Sequence, residues 1–167
     1  MIVLSDGEKH YIGKPFTPNI ETIATALSNI NRYTGHVGQY SVAQHCVLVS
    51  QQLPPELRLS GLLHDAPEAY IGDVSAPLKR HIASVYKPLE DHYHRVIDNH
   101  FGVTTQHRRV GMIDKRMLIT EAKHFGIWCD EFPDYRECDV TIRAMTPEAA
   151  RELFLQHFYR YQIEGCK

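Results

Sequence analysis

The sequence holds no run of about 18 apolar residues, the minimum for a helix that crosses a bilayer. Its start, MIVLSDGEKH, lacks the charged-then-apolar layout of a secretory signal, so a soluble chain of the cytoplasm with no membrane partner is expected. Cysteine is scarce. Cys46, Cys129, Cys138 and Cys166 form no C-x-x-C pair, which excludes a zinc ribbon and a thioredoxin-type redox site and leaves free thiols in a reducing compartment. An excess of charge is also missing: 18 Lys and Arg face 20 Asp and Glu, a net charge of −2. Holding a nucleic-acid backbone requires a net basic surface, so no nucleic-acid polymer is expected as a partner. There are no repeats or low-complexity segments, and tryptophan occurs once. Against these absences stand 11 histidines, side chains that titrate near neutral pH and bind metals.

With 167 residues, 43% of them apolar and 23% charged, the chain fits one globular domain over residues 1–167. Residues 1–16 read as a hairpin: Ile2, Val3 and Leu4 lead into Asp6-Gly7 and then to Tyr11 and Ile12. From Asn19, a plausible cap, Ile20, Ile23, Ala24, Leu27 and Ile30 recur at the spacing of a one-faced helix that ends near Arg32. Ser41 and Gln44 have the spacing of a capping box opening a second helix that runs to Pro54. The next helix, from Pro55, stops at Pro67, which leaves His64 and Asp65 at a kinked end. Further helices are expected at about 88–101, 105–125 and 147–161. The stretch 127–145, with Pro133, reads as a long loop with a short strand near Val140 to Ile142. The expected fold is all-α, a helical bundle with a short extended N-terminal segment. The aromatic stripe of the last helix makes a homo-oligomer plausible.

The segment GLLHDAPEAYIGDVSAPLKR places His64, Asp65, Glu68 and Asp73 within ten residues beside an apolar helix. Imidazole and carboxylate together make a ligand set for a divalent ion. Two ligands are too few for a site. His45, one helix earlier, and Asp114, on a later helix, supply the others, and helical bundles do build metal sites from several helices.

The order His45, His64-Asp65, Asp114 resembles the H…HD…D signature of the HD-domain phosphohydrolases. The segments NRYTGH, YSVAQH and HDAPEAYIGDVSAPLK are similar to the small nucleotidase branch, in particular to bacterial 5′-deoxynucleotidases and compact phage dATP triphosphohydrolases. The resemblance covers roughly residues 17–125, and E-x4-D and S-x-P-x-K add to its specificity. It implies that His45, His64, Asp65 and Asp114 bind one divalent ion (Co, Mn, Zn, Mg or Fe), and that Glu68 and Asp73 handle the protons of the attacking water and leaving oxygen. It further implies a deoxynucleotide substrate held by Arg32 and Lys79, with Tyr33 and Pro77 toward the base and His36 near phosphate. Some relatives carry Arg-Trp where this chain has Arg32-Tyr33, so the contact is similar in kind and different in size. A phage-encoded protein of this kind works in the host cytoplasm.

Taken singly, each of these residues has an ordinary reading. His45 alone would be a satisfied core histidine, Asp114 a solvated helix position, Glu68 an exposed first-turn acid, and Asp73 a turn residue. Lys79 beside Arg80 would be a solvated pair, and Arg32 and Tyr33 a helix-end charge and a packing ring. The histidines at 92, 94 and 100 do not share a helix face, which argues against a second ion. The expected activity is removal of triphosphate from a dNTP of the dATP type. Cleavage of a dNMP to deoxynucleoside and phosphate is the alternative, and a non-catalytic nucleotide-binding module a further one. A hydrolase of cyclic dinucleotides or guanosine tetraphosphate ranks lower, because neither a GYP motif nor an R-F-H-R-W stretch is present.

Overall fold

Asn19 opens the first helix as its residue type predicts: its side chain accepts from the backbone N–H groups of Glu21 at 2.9 Å and Thr22 at 3.4 Å, and α1 runs over Ile20–Asn29. The computed structural model describes residues 1–127 and 135–165. Seven further α-helices follow among these: α2 (Val42–Gln51), α3 (Arg58–Leu62), α4 (Glu68–Ile71), α5 (Ala76–His81), α6 (Ala83–Phe101), α7 (Arg108–His124) and α8 (Pro147–Gly165). The fold is all-α, a bundle with one two-stranded N-terminal hairpin. In that hairpin β1 (Ile2–Val3) pairs antiparallel with β2 (Lys9–His10) around a turn that has Gly7 at φ 86°, while Tyr11 and Ile12 lie exposed beyond the strand that they were expected to form.

The centre of the bundle is α2. It packs against α1, α3, α7 and α8, and Val42, Ala43, Cys46, Val47 and Val49 are buried on it. Ile23, Ala24 and Leu27 of α1, Leu62 and Leu63 at the end of α3, and Ala150, Phe154, Phe158 and Tyr161 of α8 close the core around it. The aromatic stripe of α8 is therefore covered by the chain's own core. A second cluster joins Val49 and Leu53 to Val110, Ile113 and Met117 of α7 and to Cys138. Cys46 and Cys138 are free and buried, and Cys129 and Cys166 lie outside the described residues.

Four local expectations are corrected. Ser41 caps α2 by accepting from the N–H of Gln44 at 3.2 Å, but Gln44 does not reach back; its amide donates to the Arg143 carbonyl at 2.6 Å and accepts from the N–H of Met145 at 3.2 Å. A buried Gln between two segments serves both better than it serves a cap. Helix α2 ends at Gln51 rather than near Pro54, and a single 3₁₀ turn over Pro55–Leu57 intervenes before α3. Helix α6 begins at Ala83, five residues before the proline that signals a helix start. Pro88 sits in its second turn, where the carbonyl left without a partner, that of Ser84, lies on an exposed face open to solvent. No strand forms at Val140 to Ile142; the described part of the 127–145 stretch is irregular, with a bend at Asp139, and Pro133 lies outside the described residues. Side chains satisfy its backbone instead: Arg116 donates to the carbonyls of Arg136 and Glu137, and Thr120 accepts from the N–H of Cys138.

Candidate functional site

Gly61 brings two of the sequence's candidate ligands together. A Cβ at that position would lie 2.2 Å from Leu53 Cδ1 and 3.3 Å from Ser50 Cα, so only glycine lets α3 close on the end of α2. The chain then turns at Leu63 to Pro67 rather than continuing as helix, and the Gly61 carbonyl accepts from His64 Nδ1 at 2.7 Å. His45 projects from the middle of α2 and Asp114 from α7, and both reach the same point as His64 and Asp65.

Four distances define the cluster. His45 Nε2 lies 3.3 Å from His64 Nε2 and 3.1 Å from Asp114 Oδ1, while His64 Nε2 lies 3.2 Å from Asp65 Oδ2. Asp65 Oδ2 is also 3.7 Å from His45 Nε2. Ligands bound to one ion at about 2.1 Å stand roughly 3 to 3.5 Å apart, so His45, His64 and Asp114, with His64 Nε2 3.8 Å from Asp114 Oδ1, form one group that could hold a cation, while Asp65 groups with His64 and Cys46 beside it. The hydrogen bonds behind the imidazoles support the same fit. His45 Nδ1 donates to Glu121 Oε1 at 2.6 Å and His64 Nδ1 to a carbonyl, so each neutral ring carries its proton at Nδ1 and turns a bare Nε2 lone pair toward the other. Two imidazole nitrogens with a carboxylate on either side could hold a cation. The electrostatics agree. Burial favours a neutral His64, yet Asp65 and Asp114 outweigh it and raise its pKa well above the usual histidine value; burial likewise opposes the charge of Asp114, but the two histidines hold its pKa well below the usual carboxylate range.

A cavity of about 470 Å³ opens beside the cluster, lined by Arg32, Tyr33, Asp65, Glu68, Asp73, Pro77, Lys79 and Asp114 among others. Glu68 is 8% exposed rather than a solvated first-turn acid, and its Oε2 is buried without a hydrogen-bond partner. Burial and the carboxylates of Asp65 and Asp73 push its pKa well above the usual glutamate value. Asp73, after Gly72 with φ 78°, has its pKa raised by burial and by Asp65, against the pull of Arg32. Lys79 Nζ donates to Glu90 Oε1 at 2.8 Å and stands 3.6 Å from Glu68 Oε1. Pro77 occupies the first turn of α5. Apolar walls come from Val74, Leu118, Ala122 and Ile127. His36, by contrast, is exposed at the end of the turn after Arg32 and is not among the residues lining this cavity.

Arg32 and Tyr33 arrive on a loop clamped at its base, where Asn31 and Ser41 form an antiparallel bridge and the N–H of Arg32 donates to the Tyr40 carbonyl. Tyr33 and Thr34 both adopt positive φ, 55° and 54°, which L-residues with side chains rarely do. One residue that the motif reading passed over explains how this turn is held. Glu121 of α7 is fully buried, and its carboxylate accepts from Arg32 Nε at 2.9 Å, Tyr33 Oη at 3.1 Å, Tyr40 Oη at 2.8 Å and His45 Nδ1 at 2.6 Å. Burial opposes its charge, but Arg32 and His45 outweigh that and pull its pKa down to about 2. The signal was present in the sequence: Glu121 stands seven residues after Asp114, an acid on the same face of α7 as a ligand, amid Met117, Ile119 and Ala122.

Over 110 residues the chain is 44% identical to the uncharacterized protein YfdR of Escherichia coli (strain K12), a match covering 65% of this chain and 61% of that protein. An uncharacterized protein of Rhodobacter capsulatus is 34% identical over 99 residues, covering 53% of this chain and 50% of the relative. The chain thus spans between half and two thirds of the length of these relatives. No family model matches it.

A second cavity, of about 460 Å³, also borders His64 and Asp65. His94, His107, Arg108 and Lys115 are among its lining residues, and Asp65 is its one acid. A larger cavity of about 880 Å³, under the N-terminal hairpin, contains none of the cluster residues.

Proposed function

We propose that this protein is a divalent-metal-dependent phosphohydrolase of the HD-domain type that acts on the 5′-phosphate of a deoxyribonucleotide, releasing triphosphate from a dNTP. The observation that carries the reading is the convergence of His45, His64, Asp65 and Asp114, with both imidazole Nδ1 protons already engaged, at the edge of a cavity that also holds Arg32, Lys79, Glu68 and Asp73. A divalent ion held by the four ligands supplies Lewis acidity toward the phosphoryl group and the attacking water.

The remaining steps belong to side chains. Arg32 and Lys79 bind the phosphate oxygens and orient the phosphorus toward the cluster. Glu68 and Asp73 take up the proton of the attacking water and return one to the 5′-oxygen, while a water oxygen–phosphorus bond forms and the phosphorus–O5′ bond breaks. Their raised pKa values suit groups that must both accept and release a proton. Tyr33, Pro77 and the apolar wall at Val74, Leu118 and Ile127 provide a face for sugar and base.

Monophosphate cleavage is the competing reading, and the second cavity favours the triphosphate. Its lining shares Asp65 with the first cavity and adds Arg108 and Lys115, positive charge that a longer phosphate chain can use. A purely binding module has no use for a buried Glu68 whose Oε2 accepts no hydrogen bond while Oε1 faces Lys79.

The deciding experiment is chromatography of products from dATP and dAMP, side by side, with Co²⁺, Mn²⁺, Mg²⁺ or Zn²⁺. Deoxyadenosine and triphosphate are expected from dATP; orthophosphate from dAMP instead would move the assignment to a nucleotidase. No product from any dNTP or dNMP with any of the ions would refute the reading. His64→Ala and Asp65→Ala are expected to lose both ion binding and turnover. Glu68→Ala should bind the ion and lose about 100- to 10,000-fold in rate.

A further inference from the structure

Glu121 lines none of the three cavities described above, yet it joins both halves of the proposed site. We infer that Glu121 is a positioning residue: its carboxylate fixes the tautomer and aim of the ion ligand His45 while the same group holds the Arg32–Tyr33 turn that faces the substrate. The inference rests on the metal reading proposed above. Each oxygen serves one ring hydroxyl and one nitrogen donor. Oε1 accepts from His45 Nδ1 and Tyr40 Oη, and Oε2 from Arg32 Nε and Tyr33 Oη.

Three features separate this from an ordinary buried ion pair. A neutral His45 could carry its proton on either nitrogen, and only an acceptor at Nδ1 leaves Nε2 bare toward His64, Asp65 and Asp114. Asp114 and Glu121 share one face of a single 17-residue helix, so the ligand and the group that aims its neighbour move as one body. Finally, Tyr33 and Thr34 are held at positive φ, and Tyr33 ties the turn to α7 through its hydroxyl, which donates to Glu121 and to the Leu118 carbonyl. The carboxylate thus restrains a strained turn from one side and a metal ligand from the other.

Glu121→Gln keeps the side-chain volume and removes the charge and part of the accepting capacity. Co²⁺ titrated calorimetrically into the parent and into this variant should bind about 10- to 100-fold more weakly to the variant. Equal affinity in a variant that retains the parent's circular dichroism overturns the inference and leaves the metal reading intact. Absence of Co²⁺ binding by the parent overturns the metal reading and this inference with it. If the variant does not fold, nitrogen-detected imidazole NMR of the Zn²⁺-loaded parent decides. A proton on His45 Nδ1 with the metal at Nε2 supports the role, and the reverse arrangement refutes it.

Discussion

His10, the last residue of β2 in the N-terminal hairpin, is 3% exposed, hydrogen-bonded through Nε2 to the Tyr93 hydroxyl at 2.7 Å and packed against the rings of Phe16 and Tyr70. Burial, with a smaller contribution from the N-terminal ammonium, lowers its pKa, so the fold holds it neutral. The unfolded chain therefore binds the proton more readily, and stability is lost as pH falls below about 6.5. Urea unfolding of parent and His10→Gln between about pH 7.5 and about pH 5 should show a smaller loss in the variant. Identical losses would mean that His10 takes no part. The excess of histidine in the composition thus divides by environment: His45 and His64 face a cation site, and His10 is kept neutral by aromatic packing. His94, its Nδ1 engaged by Thr105, is also held neutral by burial. Composition could not make that division, because it depends on what stands behind each ring.

Among the elements, the junction of α2 and α3 carries the tightest packing requirement. Gly61→Ala should destabilise the fold by about 1–3 kcal/mol, since Leu53 can yield but the Ser50 backbone cannot. A denaturant midpoint unchanged from the parent would show that the junction relaxes freely. The same junction shows what was legible in the sequence. Helices α1 and α2 followed from their caps and periodicity, because these are local effects, whereas the helix expected to reach Pro67 ends at Leu62 and Pro67 instead precedes α4. The partner of Gln44 and the side-chain support of the 135–145 segment did not follow. Both depend on contacts across 99 and 101 residues for Gln44, and on Arg116 and Thr120 reaching a segment about 20 residues further on. Helix α6 was misplaced at its start because a proline in a solvent-facing second turn looks, in sequence, like a proline at the first position.

Across the whole molecule, three of the four proposed ligands come from separate helices or helix ends, so an ion that binds there binds the folded chain alone. Divalent cation should raise the thermal midpoint: at a concentration 100 times its dissociation constant it adds about 2.7 kcal/mol. His64→Ala should lose that increment, as should the parent in the presence of a chelator. A midpoint indifferent to Co²⁺, Mn²⁺ and Zn²⁺ would argue against the site, whatever the activity. Four ligand positions, the acidic pair and the lysine were all accessible from motif spacing. Glu121 shares a helix face with Asp114 in the sequence, but what it holds was not legible there, since its importance lies in joining α7 to a loop 85 or more residues earlier in the chain.

The ion site is also asymmetric toward solvent. The Asp114 and Asp65 side chains are 38% and 20% exposed, those of His64 and His45 8% and 0%. A cation arriving from water meets oxygen before nitrogen. In the proposed site, carboxylates would thus govern capture, and the sealed imidazoles would govern how long the ion stays. Metals that exchange oxygen ligands quickly will load fastest, whereas those that prefer nitrogen will be the hardest to remove. The metal recovered with the protein will then depend on how long it has had to equilibrate.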